Sequence, residues 1–142
     1  MNSFALVPAT RGALAYLDIE IDGKALSHHF AGRLGAHPPQ ISAVGWKSAS
    51  IEAQASVVSQ LLGEKPSELP SGRVPVLVCE ECGHVGCGAF VVRLIHDSES
   101  VRWADWSYEN GYEPAEPIGW PTKPSEFVFD RASYENELRR AL

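Results

Sequence analysis

The sequence predicts a single α+β domain over residues 1–142: a mostly antiparallel sheet with two or three helices packed on it. Three observations lead there. Residues 74–109 hold three consecutive strand-like runs separated by turns, a meander that needs no parallel crossover. Helical periodicity falls before and after that meander instead of alternating with its strands. A length of 142 residues, 44% hydrophobic and 21% charged, is that of one ordinary globular domain. Such a domain buries about two-thirds of its unfolded surface and needs no metal or disulfide merely to fold.

The N-terminal MNSFALVPATRGALAY lacks an early basic region, and Pro8 and Arg11 interrupt its apolar part, so no signal peptide is expected. In ALAYLDIEIDGKAL, residues Leu17, Ile19 and Ile21 alternate with Tyr16, Asp18 and Glu20, as in a strand with one buried face. Asp22-Gly23 supplies the turn. Leu26, Phe30 and Leu34 recur every fourth residue, which predicts a short helix capped by Ser27 and ended by Gly35.

AHPPQISAVGW reads as irregular because Pro38 and Pro39 block a helix. A helix follows, capped by Ser50 and stopped by Gly63 and Pro66, with Ile51, Ala55, Val58 and Leu62 as its apolar stripe.

The meander runs through VPVLVC, GAFVVRLIH and VRWADWSYE, with Pro75 at a strand start or edge. A four-residue loop at Asp97–Ser100 would set His96 opposite Val101, Leu94 opposite Trp103 and Val91 opposite Trp106. Trp103 and Trp106, three apart, would then lie on opposite faces. NGYEPAEPIGWPTKPS is a long loop expected to pack through Tyr112, Ile118 and Trp120. EFVFDRASYENELRRAL predicts a strand with Phe127 and Phe129. A helix follows, capped by Asp130 and packed through Tyr134 and Leu138.

A net charge of −6 disfavours nucleic acid and anionic membranes as partners. A protein partner of basic character is compatible with it. Residues Asp97, Glu99, Asp105, Glu109, Glu113 and Glu116 set six carboxylates against Arg102 alone in that stretch, either a solvated face or a docking surface for a cation. No run approaches the roughly 20 apolar residues of a membrane helix, so a cytoplasmic location, with reduced cysteines, is expected.

Candidate chemistry concentrates in VCEECGHVGCGA. Cys79, Cys82 and Cys87 are the three cysteines of the chain, and His84 stands among them. CxxCG followed at once by HxxCG offers four ligands of the types that bind zinc. Their crowding into nine residues leaves room for a ligand from elsewhere, and His28, His29, His37 and His96 are the supply. A thiol–disulfide pair, Cys79-x-x-Cys82, is a second possibility. Against it, Glu80 and Glu81 disfavour a thiolate, and the nearby glycines oppose the helix that would stabilise one. The third possibility is plain structure, with cysteine as a small apolar residue and glycine shaping the turn.

GRVPVLVCEECGHVGCGAFVVRL, VRWADWSYEN and EFVFDRASYENEL together resemble a family of small bacterial proteins of unassigned function. Its members show a VCxxCGxxGCGA strand-turn-strand, a tryptophan-containing next strand and a C-terminal FxFDxxxYExxL helix. The match covers about the last half of the chain, and YLDIEIDGKAL looks similar too. The resemblance implies a common α+β fold with the cysteine turn as a shared feature. It supplies no substrate, cofactor or catalytic residue, although some members carry an oxidoreductase label. Relatives often have aspartate at position 84. Two functions stay open: a non-catalytic binding or interaction module whose cysteine turn is structural and holds zinc, and a thiol–disulfide oxidoreductase using Cys79 and Cys82.

Overall fold

A computed structural model describes residues 1–30, 40–114, 116–117 and 126–142. The fold is α+β, and its strand ladders are antiparallel, as expected. A three-stranded sheet comprises β1 (Phe4–Arg11), β2 (Leu14–Ile21) and β3 (Lys24–Ala25), in that order. Pro8 is tolerated in β1 because that strand is an edge. The larger sheet runs β4 (Gln40–Ser42), β5 (Val74–Cys79), β6 (Ala89–His96), β7 (Ser100–Glu109), β8 (Glu116–Pro117), and β9 (Phe127–Asp130) also pairs with β7. The helices are α1 (Leu26–His29), α2 (Ile51–Leu61) and α3 (Arg131–Arg139).

The main core fills the space between one face of β5–β7, the β1–β2 hairpin and the three helices. Ile19 and Ile21 from β2, Phe30 after α1, Leu61 from α2, Phe90 from β6 and Trp103 from β7 are all fully buried there. The Tyr134 hydroxyl of α3 accepts from Trp103 Nε1 at 3.2 Å and donates to the Leu61 carbonyl at 2.7 Å, so one side chain ties β7, α2 and α3 together. A smaller cluster of Leu69, Val78, Ala89 and Val91 occupies the other face of the sheet.

Several elements follow the sequence closely. Ser50 caps α2 by accepting from Ala53 N–H, and Asp130 caps α3 through Ser133 N–H. His96 faces Val101 and Leu94 faces Trp103. Phe127, Phe129, Tyr134 and Leu138 are buried as expected.

Other expectations are corrected. Gln40–Ser42 is a strand, because its backbone finds Leu77–Cys79 to pair with. Phe4–Arg11, to which the sequence pattern assigns no element, is a strand paired along its whole length with β2. The first helix is a single turn starting after Ala25, with no side-chain cap, so Ser27 is inside it. Leu34, Gly35 and His37 lie outside the described residues. Ile51 is 82% exposed and drops out of the α2 stripe, whose buried apolar positions are Val58, Leu61 and Leu62. Tyr16 is buried instead of facing solvent. Pro75 is the second residue of β5, an interior strand, at a bulge before Leu77 where the ladder loses its regular pairing. Tyr112 is exposed, and Ile118 and Trp120 lie outside the described residues.

The largest correction concerns β7. An extra residue between Ala104 and Ser107 bulges the strand, so Val91 faces Ser107 and not Trp106. Asp105 sits at the bulge with φ 58°. Arg73 donates to its carbonyl at 2.7 Å and to its carboxylate at 2.9 Å, and Arg93 donates to the same carboxylate at 3.1 Å. The bulge turns Trp106 to the same side as Trp103, their rings 6.0 Å apart in the core. It also draws the acidic stretch inward, since Glu109 is buried and pairs with Arg73 at 3.1 Å. That stretch is thus not simply a solvated face.

Candidate metal centre

The cysteine turn is the connection between β5 and β6. Cys79 ends β5, and Gly83 N–H closes the first bend on the Cys79 carbonyl at 2.8 Å. A 3-10 turn, Val85–Cys87, then delivers the chain to Gly88 and into β6. Two glycines are required by geometry. Gly83 has φ +63°, and a Cβ there would lie 2.6 Å from the Trp46 ring. Gly88 has φ +95°, and a Cβ there would collide with the Tyr108 hydroxyl. Left-handed backbone and the close approach of an aromatic ring both call for glycine.

Residues distant in sequence brace this turn. Trp46 packs over Gly83 and is itself fixed by donating Nε1–H to the Ser42 carbonyl at 2.6 Å. Tyr108 donates its hydroxyl to the Cys87 carbonyl at 3.3 Å, and Tyr112 donates to the Gly86 carbonyl at 3.2 Å. Arg11, at the end of β1, pairs with Glu80 at 2.5 Å.

The Sγ atoms of Cys79, Cys82 and Cys87 all lie within 4.8 Å of one another, close enough to hold one metal ion. Cys79 is 7% exposed, whereas Cys82 and Cys87 are exposed. The centre therefore has a buried inner sulfur and two outer ones. Cys82 and Cys87 also stand at disulfide distance, with Cys79 free. Their Cα atoms are 7.3 Å apart, whereas most disulfides span roughly 4.4–6.8 Å.

His84 is not among the grouped ligand atoms. Its Nδ1 accepts the Gly86 N–H at 2.9 Å, so the imidazole caps the 3-10 turn. The structure thus brings together three of the four expected ligands and gives the fourth a backbone role. None of the other described histidines joins the group. His28 is exposed, and His29 Nε2 lies 3.0 Å from the Ile21 carbonyl. His96 is half-buried against Gly63, and its Nε2 has no hydrogen-bond partner among the described residues. Burial lowers its pKa below the ordinary histidine value, and Arg131 lowers it further.

Searches among family models, curated proteins and solved structures find no match to this chain. No helix among the described residues is long and apolar enough to cross a membrane.

Proposed function

We propose that this protein is a non-catalytic binding module in which Cys79, Cys82 and Cys87 hold a zinc ion. The observation that carries the reading is the convergence of three sulfurs from one nine-residue turn. Thiolates at about 2.3 Å from a shared tetrahedral zinc stand roughly 3.8 Å apart, within the 4.8 Å that bounds this group, and Cys82 and Cys87 would part from disulfide contact to bind it. The wide Cα spacing of Cys82 and Cys87 also suits two sulfurs on a common ion. With Cys82 and Cys87 exposed, a fourth position on the outer side is open to water or to a side chain of a protein partner. His84 is the nearest candidate in sequence, but it would have to keep its Nδ1 on Gly86 or give up the cap.

Cobalt(II) tests this directly, because tetrahedral thiolate coordination gives intense visible bands and a sulfur-to-metal absorption in the near ultraviolet. Titration of reduced protein should saturate near one cobalt per chain, and zinc should displace the signal. Cys82→Ser should abolish it. A titration without these bands contradicts the metal reading.

A second reading has its own support. The contact between Cys82 and Cys87 offers that pair for thiol–disulfide chemistry, beside the Cys79–Cys82 pair suggested by the sequence. Metal-free protein that turns over a small disulfide, with turnover lost in Cys87→Ser, would favour that oxidoreductase activity.

A further inference from the structure

The end of the cysteine turn is held from outside at three successive carbonyls. Tyr112 donates to that of Gly86 at 3.2 Å, Tyr108 to that of Cys87 at 3.3 Å, and Gln40 Nε2 to that of Gly88 at 3.3 Å. The donors come from β4, from β7 and from the segment just after β7. Cys87 and its two neighbours are thus fixed against separate parts of the sheet.

Gln40 differs from the two tyrosines in its setting. It is 4% exposed, whereas Tyr112 is 74% exposed and Tyr108 is half-buried. A buried amide costs free energy unless it is hydrogen-bonded, and a bond shielded from water is dear to lose because no solvent replaces the partner. Register places this amide near the sulfurs. Gln40 stands opposite Cys79 in the β4–β5 ladder. Residues directly opposite one another share a face of the sheet, with Cβ atoms roughly 4.5–5.5 Å apart. On the other side of β5, Val78 pairs with Ala89, which brings Gly88 to the level of Cys79. The Gln40 side chain therefore starts beside Cys79 and reaches across β5 to the residue that follows Cys87.

We infer that Gln40 is a positioning residue of the cysteine centre: by holding Gly88 it keeps Cys87 within reach of Cys79 and Cys82. The inference rests on the reading of these three cysteines as one centre. Gln40 acts through the backbone of Gly88, so its loss leaves every ligand in place but less well pre-organised. Apparent affinity then falls in proportion to the fraction of chains with Cys87 in position. One hydrogen bond of ordinary worth sets that fall at about tenfold.

Gln40→Met keeps the length of the side chain and removes the donor. Two measurements on the full chain read the effect. Cobalt(II) titration of reduced protein should show affinity about tenfold weaker, with the same thiolate bands at saturation. Metal-free protein equilibrated with glutathione gives a readout independent of any metal. There the Cys82 and Cys87 thiols become a disulfide as one glutathione disulfide is reduced to two thiols, and the equilibrium constant should fall by a similar factor. Tyr134→Phe, which removes a buried hydroxyl from the other end of the meander, controls for a general loss of stability. It should lower the melting temperature and leave both cysteine readouts unchanged. Gln40→Leu gives the same readouts if Gln40→Met does not fold. If the wild type shows no cobalt bands, the zinc reading fails, and the glutathione equilibrium alone decides the role of Gln40. Wild-type values in the Gln40 variant, or an equal shift in Tyr134→Phe, would overturn the inference.

Discussion

The two ends of the β5–β6–β7 meander are built on different principles. Near the β6–β7 hairpin, Trp103, Phe129 and Tyr134 are fully buried, and the one shared hydroxyl has both a donor and an acceptor. At the β5–β6 turn, Cys82, Gly83, His84 and Cys87 are exposed, and support comes from backbone bends and a few long-range hydrogen bonds. The first end needs nothing beyond the polypeptide. The second gathers three sulfurs where little apolar surface is buried; on the zinc reading proposed above, its order depends on the ion as well as on its hydrogen bonds. On that reading the metal is a local fastening on a fold whose main core lies elsewhere.

The contrast can be broken from either side. The largest loss of stability should come from the aromatic end: Trp103→Ala should cost about 3–5 kcal/mol in urea unfolding and leave metal affinity unchanged in the folded fraction. A smaller effect should follow metal removal. With zinc at about 100 times its Kd, chelation should lower stability by about 2.7 kcal/mol. Cys82→Ser should be similarly destabilised and indifferent to chelator. Equal chelator sensitivity in both proteins would remove the turn as the source.

Gly88→Ala should cost about 1–3 kcal/mol, because the new methyl needs a left-handed backbone and displaces the Tyr108 hydroxyl. It should also loosen the sulfurs, so metal affinity should fall together with stability. A variant with wild-type affinity would mean that Tyr108 does not position the turn.

These supports show how far the sequence could be read. The sulfur cluster was legible because its members fall within nine residues and their types are specific to metals and redox chemistry. Trp46, Tyr108 and Tyr112 carried no such sign, since each is an ordinary aromatic until the fold sets it beside the turn. The helices beginning after Ser50 and Asp130 were legible from caps that act over three residues. The faces of β7 were not, because alternation assumes one residue per step. Asp105 breaks that count, and it is held by Arg73 and Arg93 from other parts of the chain. Strands β1 and β4 depended in the same way on partners that pattern alone does not reveal.

The smallest effect should be on acid stability at the aromatic end. His96 has a folded-state pKa below its unfolded one because burial disfavours its charged form. The unfolded chain therefore binds more protons at this site, and its contribution to stability, full above pH ~6.5, declines as the pH falls through the lowered value. His96→Gln should flatten that part of the stability profile, measured by urea midpoints. The same slope in the variant would assign it to other groups.

The most direct test joins metal content to sulfur chemistry. Protein purified without chelator or metal-affinity resin should carry about one zinc per chain. Its three cysteines should resist a thiol reagent under native conditions and all react once the metal is removed. Protein without metal, carrying a Cys82–Cys87 disulfide and one remaining thiol at Cys79, would contradict the metal centre.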